Sequence, residues 1–165
     1  MRIEDDIKLT FDDVLIRPKR STLVSRAEVE LTRSFKFKHT NLEWSGVPII
    51  SANMDTTGTF ETAEVLSQMQ VLTALHKFYS IDDWENKSKT VDYNYTILTI
   101  GSKENEIENA QKILSKYQEI NFICLDVANG YREDFIQAVS RARSAFPEKI
   151  IIAGNVATRE MTEAL

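Results

Sequence analysis

The chain has little of what marks secreted, membrane-spanning, fibrous or metal-binding proteins. One cysteine, Cys124, among 165 residues leaves no intrachain disulfide. The opening MRIEDDIKL is too charged for a signal peptide, so a reducing, cytoplasmic setting is expected. No run approaches the roughly 18 apolar residues that a membrane span needs. Three prolines and five glycines are too few for a collagen-like or linker-rich chain. The only two histidines, His39 and His76, lie far apart and the lone cysteine sits inside an apolar run, so no metal site is expected. A net charge of −5 provides no positive field to gather nucleic acid or anionic lipid, and neither is expected as a partner.

What is present is the balance of a globular chain, 42% hydrophobic and 27% charged. The first 45 residues read as an irregular, polar, mixed-charge arm. From residue 46 to 165 short apolar runs alternate with helical patterns, and a domain is expected there. The runs cover 47–54, 71–77, 95–101, 121–127 and 149–155, recurring about every 26 residues. Most are continuously apolar, which suits strands of a parallel sheet covered on both faces. Between them Phe60, Ala63, Leu66 and Met69 share a helical face, as do Ile107, Ala110, Leu114 and Tyr117, and Phe135, Ala138, Val139, Ala142 and Phe146. The segment after Lys77 is weaker, but Ser80-Ile81-Asp82-Asp83 reads as a capping-box start, and Thr158 reads as the cap of a last helix. Strand and helix units of this length build either an open doubly wound sheet or a (β/α)₈ barrel of about 250 residues. Five strands cannot close a barrel, and the barely begun last helix favours a truncated (β/α)₈ TIM barrel whose remainder is missing.

In either architecture ligands sit beyond the carboxyl ends of the strands. Those ends read SANMDTTG, HKFYS, GSKEN, DVANGY and GNVATRE. Neither G-x-G-x-x-G nor G-x-x-x-x-G-K occurs, which argues against a Rossmann or P-loop site. Cys124 has no charged immediate neighbour to activate it and reads as core rather than nucleophile. Asp126, on the same side of its strand and about 6.6 Å further along, is placed to meet a ligand or to cap the next loop. Lys77 follows an apolar strand and could hold a phosphate or reach to water. The basic cluster Arg17, Lys19, Arg20 and Arg26 is either a solvated face or an anion-binding arm. Met54 alone reads as core.

Five ordered stretches carry a family resemblance: LTFDDVLIRPKRS (9–21), SANMDT (51–56), HKFYS (76–80), CLDVANGY (124–131) and AGNV (153–156). Together they resemble the IMP dehydrogenase and GMP reductase family, from about residue 8 onward. The reductase branch is the closer match. The second strand runs directly into the next unit without the usual dehydrogenase insertion, Lys77 stands where dehydrogenases usually have an uncharged residue, and DVANGY replaces their serine-rich motif.

The resemblance implies a cytoplasmic homotetramer of purine salvage in which NADPH drives reductive deamination of GMP to IMP and ammonia. In the family a cysteine thiolate attacks C2 of the purine and the cofactor carries the hydride. That cysteine, the acid/base residues and the phosphate loops belong to later strands. No catalytic residue is therefore assigned in this chain, Cys124 does not inherit the role, and the chain alone is expected to be inactive. The family's monovalent cation, K+, likewise has its site elsewhere. By the same resemblance Lys77, Asp126, Val127 and Ala128 face NADPH, Ser25 and Arg26 belong to an arm that reaches the cofactor of a neighbouring subunit, and Met54 and Asn155 line the purine-nucleotide pocket. Two other readings stay open: a compact NAD-dependent IMP dehydrogenase, and a non-catalytic half-barrel module that associates with a full-length relative.

Overall fold

The computed structural model describes Ile7 and residues 9–165, which fall into two compact units, one ending at Glu30 and the other spanning Leu31–Leu165. The first carries two 3-10 turns, Phe11–Asp13 and Arg26–Glu28. Asp13 accepts hydrogen bonds from the Thr10 backbone and hydroxyl, both 2.8 Å, which favour its ionised form and lower its pKa. The Ser25 hydroxyl accepts from the Ala27 N–H at 3.2 Å and so starts the second turn. Leu15, Ile16 and Val24 are exposed.

The second unit is a six-stranded sheet backed by helices. In chain order it contains β1 (Arg33–Lys36), β2 (Glu43–Ser51), α1 (Phe60–Ser67), β3 (Val71–Leu75), α2 (Ile81–Lys87), β4 (Thr96–Ile100), α3 (Glu104–Lys116), β5 (Phe122–Asp126), α4 (Glu133–Ala145), β6 (Ile150–Gly154) and α5 (Arg159–Ala164). The strands lie in sequence order; β1 and β2 are antiparallel and every later pair is parallel. Among the described residues β6 pairs only with β5, so the sheet is an open, incomplete barrel.

Alternation along each strand splits its apolar residues between two cores. Leu75, Leu98, Ile123 and Leu125 face the helices with Phe60, Trp84, Ala110 and Phe135. Leu72, Ala74, Ile97, Phe122 and Ile150 form the other cluster with Trp44. That double burial is why the runs are continuous in sequence. The weak pattern after Lys77 does become α2. Ser80 and Asp83 bond reciprocally, and the Ser80 hydroxyl and N–H hold the Asp83 carboxyl down to about 2.

The arm reads differently from its sequence. Residues 33–36 are not irregular but pair with 43–46 as a hairpin, with Phe35 opposite Trp44. This adds a sixth strand to the five expected. Trp44 packs edge-on against Phe122 and Tyr95, Phe37 packs against Phe122, and the Trp44 indole N–H donates to the Asn94 carbonyl at 3.2 Å. The hairpin's aromatic side chains therefore complete the second core. Past Gly46 the same strand turns to β3, where its register slips between Val47 and Ile50. Pro48 lies in the slip, where it has no N–H to give to a ladder.

Candidate functional site

The carboxyl ends of β2 to β6 form one rim because the strands are parallel and adjacent. At the end of β2 the chain turns sharply: the N–H groups of Thr57 and Gly58 donate to the Met54 carbonyl at 3.0 and 2.7 Å. Thr59 then caps α1 through the Thr62 N–H. Met54 is 59% exposed, so it is not the core residue that its chemistry alone suggested.

At the end of β3 the His76 N–H donates to the Gly58 carbonyl at 2.9 Å, joining the first two strand ends. The His76 ring stacks on Tyr79 with centroids 3.8 Å apart, and Tyr79 lies against Phe60. His76 Nδ1 accepts from the Phe78 N–H at 3.3 Å, which fixes the turn that carries Lys77 outward. Lys77 is exposed and forms no ion pair with any described residue. Beside it is a small cavity of about 80 Å³ bordered by His76, Thr99, Glu106 and Asn109. At the end of β4 the Glu106 carboxylate is already engaged, accepting from the N–H groups of Gly101 and Lys103 at 3.2 and 3.0 Å.

The ends of β5 and β6 are laced together. The N–H of Val127 donates to the Gly154 carbonyl, and that of Asn155 to the Val127 carbonyl, both at 2.9 Å. The Asn155 amide also reaches the Val127 carbonyl at 3.2 Å and Asp126 Oδ1 at 3.4 Å. Asp126 therefore caps neither a loop nor α4, which begins only at Glu133. Its other oxygen accepts from no described residue and can receive a donor from a ligand. Ala128 is exposed beyond it. Ser25 and Arg26 lie in the first unit; Arg26 is exposed.

Cys124 packs with the Trp44 cluster, and burial, reinforced by the nearby Asp126 charge, pushes its thiol up to about 11. At neutral pH it stays protonated and is no nucleophile. Among the described residues no three His, Cys, Asp or Glu side chains gather as metal ligands, and no helix is long and apolar enough to cross a membrane.

Sequence reasoning missed Tyr131. Its phenolic oxygen accepts from the N–H groups of Ala157 and Thr158 at 2.7 and 2.8 Å. A tyrosine just after a strand-end glycine carries no local signal of that tie, because its partners are 26 and 27 residues away.

Comparison with known proteins gives these features a context. Residues 8–165 match the family model described as IMP dehydrogenase / GMP reductase domain. A GMP reductase of Citrobacter koseri is 54% identical over the whole chain, as is one of Klebsiella pneumoniae, and one of Escherichia coli is 52% identical. In each case the match covers 48% of the relative, so the chain spans about half the length of these curated relatives. Among solved structures, the inosine 5′-monophosphate dehydrogenase of Legionella pneumophila superposes with a TM-score of 0.78 at 30% identity. The match covers 94% of this chain and 46% of that one.

Proposed function

The chain belongs to the IMP dehydrogenase/GMP reductase family, and from that premise we propose that it supplies the first half of the barrel of a GMP reductase, converting GMP with NADPH to IMP and ammonia. Identities of 52 to 54% with GMP reductases, against 30% with the superposed dehydrogenase, favour the reductase over the compact dehydrogenase. The observation that carries the reading is the chemistry of the rim. An exposed, unpaired Lys77 at the end of β3, an Asp126 carboxylate with acceptor capacity to spare at the end of β5, and an Asn155 amide after β6 are presented on one rim.

These groups fit a dinucleotide and a nucleotide. Lys77 meets negative charge as a point cation, Asp126 accepts from a hydroxyl or carboxamide, and Val127 and Ala128 line the cofactor beside it. Met54 and Asn155 lie toward the purine nucleotide, and Ser25 and Arg26 reach a cofactor in a neighbouring subunit of a homotetramer. When bound, NADPH supplies the hydride that reduces the purine ring. This chain's part is to bind and orient. With Cys124 held protonated, the nucleophilic sulfur belongs to other polypeptide, and the enzyme works in the cytoplasm.

The test is an assay of the complete enzyme for GMP-dependent loss of reduced-nicotinamide absorbance. Turnover with GMP and NADPH supports the assignment. Turnover only with IMP and NAD would replace it with the dehydrogenase.

A further inference from the structure

Tyr131 is nearly half exposed, yet its oxygen is fully used as an acceptor. It takes two backbone N–H groups, from Ala157 at 2.7 Å and Thr158 at 2.8 Å, across the gap between the loops that follow β5 and β6. Its own position is set locally, since its N–H donates to Asn129 Oδ1 at 3.0 Å. Between these anchors the Gly130 N–H donates to the Asn155 carbonyl at 3.0 Å. A Cβ at Gly130 would come within 2.6 Å of that same carbonyl oxygen, so the two loops touch backbone to backbone. Upstream, Asp126 and Val127 are bonded to Asn155. The phenolic oxygen thus closes a set of cross-loop bonds at the end farthest from the sheet.

We propose that Tyr131 is a positioning residue: its oxygen latches the loop after β6 to the loop after β5 and so holds Asp126, Val127 and Asn155 in the arrangement that meets the nucleotides. The proposal rests on the functional reading above for what those three residues meet, and on geometry alone for the latch. The Thr158 side chain first, and the Ala157 N–H second, lower the phenol's pKa from its ordinary value near 10, with the nearby Glu160 charge opposing them. Because the folded state favours the phenolate, the latch strengthens as pH rises through that lowered value and loses this part of its strength as pH falls below it.

The test compares the 165-residue chain with its Tyr131→Phe variant. Without nucleotide, amide protection at Ala157 and Thr158 should fall about tenfold, the scale of one lost hydrogen bond, with a smaller loss at Gly130 and Asn155. Protection unchanged at Gly130 and Asn155 would overturn the latch. In the wild-type chain the Ala157 and Thr158 nitrogen shifts should titrate with the Tyr131 ring carbon bearing the oxygen, with a midpoint below 10. A packing role for the ring would produce no such linked titration, so its absence also counts against the latch. NADPH titrated into the complete enzyme and its Tyr131→Phe variant should bind the variant about tenfold more weakly; equal affinity despite lost protection would overturn positioning. If the complete wild-type enzyme shows no response to NADPH, the dinucleotide reading falls, while the exchange data still decide the latch.

Discussion

Lys77→Ala in the complete enzyme is expected to lower kcat/KM for NADPH-dependent GMP reduction by roughly two to three orders of magnitude, the scale of truncating one partner of a charge-assisted contact in a closed site. The side chain is exposed and unpaired in this chain, so its loss leaves no orphaned internal partner and the fold should keep its thermal midpoint. Arg at this position keeps the charge but spreads it over a planar fork, and it should recover only part of the activity. Unchanged turnover in Lys77→Ala would remove the cation from the site and with it the main difference from the dehydrogenase branch.

Gly58→Ala is expected to destabilise the fold by about 3 kcal/mol, the upper range for forcing atoms into a packed site. A Cβ at Gly58 would lie 2.1 Å from the Ala74 carbonyl oxygen and 2.9 Å from that of Ala52, and backbone atoms cannot swing aside. The same residue receives the His76 N–H and donates to the Met54 carbonyl. The change therefore also loosens the turns that carry Met54 and Lys77. Chemical unfolding should show the midpoint drop with little change in slope. An unfolding free energy within about 0.5 kcal/mol of the parent would mean that the two strand ends do not approach as closely as described.

The physical reason for each success and failure of the sequence reading lies in burial. β3, β4 and β5 were readable because both of their faces are covered, so Leu72 and Leu75, Ile97 and Leu98, or Phe122 and Ile123 had to be apolar together, and β6 is half-buried on both faces in the same way. The hairpin was not readable. Phe35, Phe37 and Trp44 are apolar, but Lys36, Lys38 and Glu43 between them are exposed, and the short alternating strands looked like a mixed-charge arm. The rim was located by the general rule that ligands meet parallel strands at their carboxyl ends. Asp126 beside Asn155 follows from the adjacency of β5 and β6. The tie from Tyr131 to Ala157 and Thr158 could not be read, since it depends on how two loops fold over one another and on no local pattern.

The most direct test of the central claim is nuclear magnetic resonance of the isolated chain, titrated with NADPH and GMP while product is assayed. If these strand ends form part of a shared nucleotide site whose sulfur lies in other polypeptide, shifts should gather at Met54, Lys77, Asp126, Val127, Ala128 and Asn155, with no IMP formed. IMP production by the chain alone, or shifts that bypass the strand ends, would contradict it.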